Sequence, residues 1–365
     1  HEPGALRKIA VDMQKILLLS NLHEELGRPG FRSGSYLTNL IPLARALEAT
    51  GRAECRFLAS PFVAGEIDRE LDEYRLRAFE AGDLAHPGWQ DFMVRSYRDT
   101  VPKDVTDDVA RRLDALLEGW QPDVILCWEA PTDIFRTIYE QALVIDLMPG
   151  MFMRPPYPAM ISLDPCGLYR DCWFRDVDVA SVNVPDEVLA DVESLRDTYR
   201  DHFKKLDIAK NMDVFLQGRI LNEAQIAPLQ IGAYFGWRDN TDFPDQAELI
   251  RELLRKTPDP VPTLVTHYTG ALISEIVITP QNEPNFSALN SNLVFDPVFD
   301  RLNNITQYLI PSARRTVTVS STLGLQAKFF GKELVSPSTS HLAYIAEATE
   351  LRDLGGLRPR PLEGF

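Results

Sequence analysis

Short, strongly apolar segments alternate with amphipathic segments along this chain, and that alternation constrains its fold more than any other feature. In the first half the apolar segments have the length of β-strands and lie at 16–20, 53–60, 123–128 and 142–147. Between them, stretches such as 36–49 and 105–120 place apolar residues at helical spacing. Continuous apolar strands of this kind are typical of parallel sheets covered by helices on both faces. The pattern therefore predicts an α/β protein.

The second half repeats the alternation. Predicted strands lie at 213–217, 263–267, 316–319 and 332–335, and predicted helices at 186–206, 244–256 and 297–310. A length of 365 residues exceeds what one compact core usually supports. We therefore predict two domains that divide near residue 210. They cover residues 1–210 and 211–340, and a tail over 341–365 is expected to pack back on the first domain.

Charge and cysteine content exclude several classes of function. Lys and Arg number 38 and Asp and Glu number 53, so the net charge is 38 − 53 = −15, which argues against a nucleic-acid partner. Five arginines are still available for a local anion site: Arg28, Arg32, Arg154, Arg314 and Arg315. The four cysteines form no CxxC pair, and no histidine stands at zinc-finger spacing. We therefore expect reduced, buried thiols and no metal site.

Targeting signals are missing from the sequence pattern. No apolar run approaches the roughly 20 residues of a membrane span, and the region after His1 has no signal-peptide centre. The expectation is a cytoplasmic protein.

A hydroxyl-rich turn at Ser320, Ser321 and Thr322 is the strongest local signal for a binding site. It follows a predicted buried strand and opens a predicted helix, so backbone N–H groups and hydroxyls converge there, and Gly324 permits a close approach. Such a turn suits a phosphate group. Ser and Thr are equally the preferred residues of an ordinary helix N-cap, so that alternative stays open.

Two further candidates stand at the ends of predicted strands. His267 ends the strand at 263–267, where it would contact a phosphate oxygen or a leaving group, or else be satisfied by local backbone. Glu129 stands at the exit of the 123–128 strand, at the sheet edge where ligands gather.

A polar segment follows the predicted strand at 213–217. It contains Gln217, Asn222 and Glu223, and Glu223 is a candidate nucleophile or general base. The alternative is a set of solvated polar residues. A proline-rich loop at 149–158 carries Arg154, and a loop at 27–35 carries Arg32 beside Ser33 and Ser35, side chains that suit an anionic glycan.

Several of these motifs together resemble the bacterial capsule-polysaccharide glycosyltransferases, especially the β-Kdo transferases. The resemblance lies in four places: 152–155 with 161–164, 217–226, His267, and 317–332 with its Ser-Ser-Thr-x-Gly core. They cover about a third of the chain. The resemblance implies a GT-B fold, in which two Rossmann-like domains face each other across a cleft, with the acceptor on the first and the nucleotide sugar on the second.

The resemblance also implies roles for single residues. Ser320, Ser321 and Thr322 would bind the donor phosphate, and His267 would contact the nucleotide. Three departures affect this transfer. Related enzymes have His-Pro where this chain has His267-Tyr268, and an Asp where it has Asn222-Glu223. They also have a Glu shortly before the Arg-Pro loop, where the nearest upstream carboxylate here is Asp146. The general acid or base thus stays open between Asp146 and Glu129.

The function that the resemblance implies is metal-independent, cofactor-free transfer of an acidic sugar such as Kdo from CMP to a cell-surface glycan, with retention and with Glu223 as the attacking group. The expected partners are a CMP-sugar and an oligosaccharide or glycolipid acceptor, with peripheral attachment to the inner face of the cytoplasmic membrane through other domains or partners as an option. Three alternatives stay open. They are a UDP- or GDP-sugar transferase using Lys328 and Lys332, a nucleotide-sugar epimerase, and a nonenzymatic scaffold.

Overall fold

A computed structural model describes residues 13–20, 33–59, 63–67, 78–80, 97–98, 101–178, 181–232, 234–268, 271 and 273–356. The chain forms two compact units. The first comprises residues 1–148 and 163–168, and the second comprises 149–162 and 169–365.

The first unit is built on a six-stranded sheet. Its strands are β1 (Gln14–Ser20), β2 (Ala53–Ala59), β3 (Ala78–Glu80), β4 (Val124–Trp128), β5 (Leu143–Pro149) and β6 (Ile161–Asp164). They lie in the order β3-β2-β1-β4-β5-β6, and β1 pairs in parallel with both β2 and β4. This is the doubly wound order of a Rossmann-like domain.

Helices cover this sheet. A π-helical turn (Tyr36–Leu40) leads into α1 (Ile41–Glu48), and α2 (Lys103–Leu116) and α3 (Asp133–Ile138) follow along the chain. The helices α2 and α3 bury an apolar face against β4 and β5, with Leu113 and Phe135 fully buried beside Ile125. Burial on both faces explains why β1 and β4 appear in the sequence as unbroken apolar runs.

The second unit is built on a five-stranded sheet of the same design. Its strands are β7 (Gln225–Pro228), β8 (Thr263–Thr266), β9 (Leu293–Val294), β10 (Arg315–Val317) and β11 (Glu333–Val335). The order is β11-β10-β7-β8-β9, and the pairings from β7 to β8, β8 to β9, β7 to β10 and β10 to β11 are all parallel. If the strands of this sheet are numbered 1 to 5 along the chain, their order from β9 to β11 is 3-2-1-4-5. The predicted α/β class with two Rossmann-like units is confirmed.

The described α-helices of the second unit are α4 (Asp186–Lys205), α5 (Ile208–Leu216), α6 (Phe235–Arg238), α7 (Gln246–Lys256), α8 (Glu283–Ser287), α9 (Ile305–Leu309) and α10 (Leu323–Phe329). Short 3-10 helices lie at Tyr169–Asp171, Trp173–Asp176, Leu221–Glu223, Ile273–Glu275, Pro297–Arg301, His341–Tyr344 and Leu351–Gly356.

The predicted strand at 213–217 is wrong, because this segment belongs to α5. Ile208, Met212, Phe215 and Leu216 are spaced to form one face of a helix, and they pack in the core of the second unit. Gln217 ends the helix in a left-handed conformation. The first strand of the second sheet is therefore β7, about a dozen residues later in the chain.

The predicted boundary near residue 210 also differs from the structure, because α4 belongs to the second unit. Tyr199 and Phe203 of this helix pack in the core of that unit. Arg200 adds a polar contact, since its Nη2 donates to the carbonyl oxygen of Phe330 at 3.2 Å, where α10 ends.

The C-terminal segment likewise differs from expectation as far as it is described. Leu342 and Ile345 pack against Leu334 of β11, and Leu351 and Leu354 lie in the core beside β10. Residues 341–356 thus belong to the second unit, and the prediction that this segment packs on the first domain is wrong for them.

Candidate functional site

The order of strands in the second sheet marks one position for a ligand. The chain runs from β7 to β8 and β9 on one side and then returns to β10 and β11 on the other side. The point where a doubly wound sheet reverses direction leaves a crevice at the carboxyl ends of its strands, and ligands of such proteins bind there. In this unit the reversal lies between β7 and β10.

The residues that follow β7 and β10 meet at this point through hydrogen bonds. Gln230 stands after β7, and its Nε2 donates to the hydroxyl of Ser320 at 3.1 Å. In return, the backbone N–H of Ser320 donates to Gln230 Oε1 at 3.1 Å. Gln246 of α7 fixes the Gln230 backbone, since its Oε1 accepts from the N–H at 2.7 Å and its Nε2 donates to the carbonyl at 2.9 Å.

The hydroxyl-rich turn lies at this position, but its three hydroxyls differ in access. Ser320 is buried and engaged with Gln230. Ser321 and Thr322 are half-buried. The Ser321 hydroxyl accepts from the N–H of Leu323 at 3.3 Å and keeps its own proton for a further bond. The Ser320 hydroxyl also accepts and keeps its proton, but Ser320 is buried and its N–H is engaged by Gln230. An anion would therefore meet Ser321 and Thr322 first.

Gly324 allows a close approach by a neighbouring side chain. A Cβ at this position would lie 2.6 Å from a methyl carbon of Leu342 and 3.2 Å from one of Leu334. The glycine therefore lets α10 pack against the segment that follows β11.

His267 lies after β8 at the same sheet edge, with both ring nitrogens engaged. Its Nε2 accepts from the backbone N–H groups of Val277 and Ile278, at 3.1 and 3.3 Å, so the ring proton is on Nδ1. Nδ1 then donates to Asp300 Oδ1 at 2.8 Å. The ring holds three segments together and has no nitrogen left for a phosphate, so the expected contact with the nucleotide is not supported.

Arg154 also reaches this edge. Its Nη1 donates to Asn304 Oδ1 at 3.0 Å and its Nη2 donates to Tyr268 Oη at 3.2 Å. Its guanidinium carbon lies 5.2 Å from the centroid of the Tyr268 ring. Tyr268 directly follows His267, and Asn304 stands immediately before α9.

The predicted group of Gln217, Asn222 and Glu223 does not join this site within the unit. All three are exposed. Gln217 ends α5, and the other two precede β7, whereas His267 and Ser320 follow their strands. In a parallel sheet the two ends of the strands lie at opposite edges. Glu223 is therefore at the amino-terminal edge of the sheet, because the segment before it is a helix and not a strand.

Three basic residues of the second unit that were candidates for an anion site are paired with carboxylates. Lys328 is buried against Glu347. Arg315 is buried against Glu333, with Nη2 to Oε2 at 2.6 Å, and Arg314 reaches the same carboxylate at 3.4 Å. These contacts do not support the use of Lys328 by a UDP- or GDP-sugar transferase.

The first unit places its two carboxylate candidates differently. Glu129 follows β4, at the carboxyl end of one of the strands that flank the reversal point of the first sheet, as predicted. Glu129 is half-buried. Its backbone φ of 47° lies in the left-handed region, which residues other than glycine seldom adopt. Its N–H donates to the Leu147 carbonyl at 2.8 Å, which fixes the backbone of this corner.

Asp146 is fully buried in the middle of β5. Its Oδ2 accepts from the Thr132 hydroxyl at 2.8 Å and from Arg136 Nη2 at 3.1 Å, both at α3. Burial nevertheless raises the pKa of Asp146 to about 8, more than these two partners lower it. A buried, protonated carboxyl that ties a strand to a helix is a structural group, and we assign it no acid or base role.

The loop at 27–35 lies mostly outside the described residues, as do Arg28 and Arg32. Ser33 and Ser35 are described and both are buried. Sequence reasoning missed Gln230, Tyr268 and Asn304. Gln230 follows the apolar segment that became β7, so the correct strand assignment would have pointed to it.

None of the helices in the described parts of the chain combines the length and apolar character that crossing a bilayer requires. Within those same parts, His, Cys, Asp and Glu side chains do not form a group of three or more arranged to hold a metal.

Comparisons with known proteins give resemblance only to solved structures. No family model matches the chain, and no curated protein matches it. The β-Kdo 2,7-transferase KpsC of Thermosulfurimonas dismutans is 11% identical, with 68% of this chain and 75% of that chain covered and a TM-score of 0.40. The UDP-GlcNAc 2-epimerase of Neisseria meningitidis is 12% identical, with 94% and 89% covered and a TM-score of 0.35. The calicheamicin glycosyltransferase CalG4 is 14% identical, with 94% and 84% covered and a TM-score of 0.34. Likenesses of this size do not bear on activity, which rests on the residues themselves.

Proposed function

We propose that this protein is a glycosyltransferase that binds a nucleotide-sugar donor on its second unit and an acceptor on its first. The observation that carries the proposal is the hydroxyl-rich turn at Ser320–Thr322, which stands with Gln230 at the reversal point of a doubly wound sheet. That point is where proteins of this architecture bind their ligands. The half-buried hydroxyls of Ser321 and Thr322 supply hydrogen-bond donors of the kind a phosphate needs.

The donor that we propose is a CMP-activated acidic sugar of the Kdo type. A single phosphate suits a turn that offers two accessible hydroxyls, while the buried cations Lys328 and Arg315 are already paired. When the bond between the sugar and the phosphate breaks, negative charge develops on the departing CMP. Hydrogen bonds from Ser321 and Thr322 would stabilise that charge, and they would strengthen as it grows.

We propose Glu129 as the base that accepts the proton of the acceptor hydroxyl. It is the carboxylate at the carboxyl edge of β4, and its backbone is fixed by the bond to Leu147. Glu223, which the family resemblance suggested as the attacking group, stands at the opposite edge of its own sheet from Ser320. We therefore propose no covalent intermediate on Glu223. The acceptor class, an oligosaccharide or glycolipid of the cell surface, and cytoplasmic action remain part of the proposal.

Titration with CMP tests the donor site directly. We expect the wild-type protein to bind CMP and the double variant Ser321→Ala/Thr322→Val to bind it at least tenfold more weakly, because each hydrogen bond to a charged group contributes about 1.5 to 3 kcal/mol. Glu223→Gln serves as the matched control and should bind within twofold of wild type. Equal affinity of the double variant and the wild type would rule out this turn as the phosphate site.

Turnover assays test the reaction class. CMP-Kdo is incubated with the protein alone and with an oligosaccharide acceptor, and both CMP and glycosylated product are measured. A transferase produces the glycoside only when the acceptor is present, and Glu129→Gln should lower that rate at least a hundredfold, in line with the usual contribution of a general base. Conversion of the donor to another sugar nucleotide without acceptor would instead identify an epimerase.

A further inference from the structure

Arg154 is held in a fixed position by two neutral partners. One terminal nitrogen donates to the Asn304 side-chain oxygen and the other to the Tyr268 hydroxyl, at 3.0 and 3.2 Å. Its guanidinium also lies over the Tyr268 ring. Contacts with two other segments of the chain restrict this side chain, so little conformational entropy remains to be lost when a ligand binds.

No carboxylate oxygen of the described residues lies within 4 Å of the Arg154 guanidinium nitrogens. Two arginines of the unit differ in this respect. Arg315 is paired with Glu333, and Arg251, which lies over Phe286 much as Arg154 lies over Tyr268, reaches Glu248 at 3.1 Å. A guanidinium has five N–H groups, and the two named bonds use two of those on Arg154. The residue is half-buried, so the remaining donors are reachable from solvent.

Tyr268, the partner of Arg154, is separated from the proposed phosphate turn by two strand spacings. Tyr268 follows β8, whereas Ser321 follows β10, and β7 stands between those two strands. Two strand spacings amount to roughly 10 Å. One phosphate on Ser321 and Thr322 therefore cannot be the group that Arg154 contacts at the same time, unless the ligand carries a second anionic group.

We propose that Arg154 binds a second oxyanion of the ligand, separate from the phosphate at Ser321 and Thr322. This inference rests on the proposed function for the placement of that phosphate. Planar guanidinium groups pair with two oxygens of a carboxylate or a phosphate. The oxyanion is therefore either the carboxylate of an acidic sugar or the second phosphate of a diphosphate donor. In both cases Arg154 sets specificity, because a ligand with one phosphate and a neutral sugar leaves it without an anion.

Binding measurements with four nucleotides test this inference. CMP, CMP-Kdo, UMP and UDP are titrated into the wild type, Arg154→Met and the control Arg251→Met, which removes a similarly stacked but carboxylate-paired arginine. We expect Arg154→Met to bind CMP and UMP within twofold of wild type and to bind one larger ligand at least tenfold more weakly. Loss confined to CMP-Kdo identifies the sugar carboxylate, and loss confined to UDP identifies the second phosphate. Arg251→Met should match wild type throughout.

Two results would overturn the role of Arg154. One is that Arg154→Met weakens the binding of CMP as much as that of CMP-Kdo, and the binding of UMP as much as that of UDP. Arg154 would then contact the first phosphate. The other is unchanged affinity for all four. If the wild type binds no nucleotide, the proposed function fails, and free Kdo and inorganic pyrophosphate then test Arg154 by themselves. The Arg154 Nε–H resonance is assigned by its loss from the spectrum of Arg154→Met. A shift of this resonance with either probe supports the oxyanion site, and no shift with either overturns it.

Discussion

Replacing Asp146 by Asn should make the protein more stable at alkaline pH. The carboxyl is fully buried, and although Thr132 and Arg136 both donate to it, burial raises its pKa to about 8 from an ordinary value of 3.8. Between these two values the folded protein keeps the proton while the unfolded chain releases it. The folded state is therefore favoured by this group below about pH 4, and the advantage is lost as pH rises through about 8.

The size of this effect follows from the same two numbers. A tenfold change in proton affinity corresponds to about 1.4 kcal/mol, so a change from 3.8 to about 8 corresponds to roughly 5 kcal/mol. The Asp146→Asn variant has no proton to lose here. We expect it to be more stable than wild type by about 1.5 to 2 kcal/mol near pH 5, where little of the effect has developed, and by roughly 5 kcal/mol near pH 8.5.

Hydrogen exchange of peptides that cover β4 and β5 is the suitable assay, because it reports the opening of the first unit separately from the second. Protection is measured at pH 5 and 8.5 after correction for intrinsic exchange rates. The exposed Glu140, in the turn before β5, provides the control Glu140→Gln, whose difference from wild type should not change with pH. A wild type that is more protected than Asp146→Asn at pH 8.5 would refute the reasoning, since the ion pair with Arg136 would then outweigh burial.

Two other predictions concern packing and thiol reactivity. Gly324→Ala should lower the free energy of unfolding by about 1 to 3 kcal/mol, because its methyl group would overlap the buried Leu342 side chain. In the control Gly355→Ala the added methyl group meets nothing within 4 Å, so the stability should not change. Denaturant titration measures both variants, and equal midpoints would contradict the close packing of Gly324 against Leu342. Iodoacetamide at pH 8 should label the exposed Cys166 and spare Cys55, because burial raises the pKa of the Cys55 thiol to about 12. Mass spectrometry identifies the labelled cysteines, and equal labelling rates at the two sites would contradict the burial of Cys55.

The fold class could be predicted from the sequence because strands buried on both faces leave a clear trace. Segments such as 16–19 and 124–128 are unbroken apolar runs bounded by polar residues, and both lie in strands. Within its five residues, the segment at 213–217 has the same character. The helical spacing that extends back to Ile208 distinguishes it, and a short apolar run alone does not separate a strand from a buried helix.

That one misassigned segment explains most of the error in the predicted site. With a strand at 213–217, Glu223 would follow a strand and reach the ligand edge. With α5 there instead, Glu223 precedes β7 and lies at the other edge. Other features of the site depend on contacts across long stretches of sequence, such as the one between Arg154 and Tyr268, and no local pattern encodes them.

Within each unit, the first and fourth strands in chain order are neighbours in the sheet, and hydrogen bonds join them at their carboxyl ends. In the first unit the Ser20 hydroxyl donates to the Trp128 carbonyl at 3.3 Å, and in the second Gln230 and Ser320 exchange two bonds. A bridge of neutral groups at the ligand position does not exclude a phosphate. Each neutral bond contributes about 1 kcal/mol, whereas a bond to an anion contributes about 1.5 to 3. Displacing Gln230 breaks two such bonds, about 2 kcal/mol, whereas an anion that accepts from both the Ser320 N–H and the Ser320 hydroxyl gains about 3 to 6 kcal/mol. The bridge would therefore open when an anion arrives and close when it leaves.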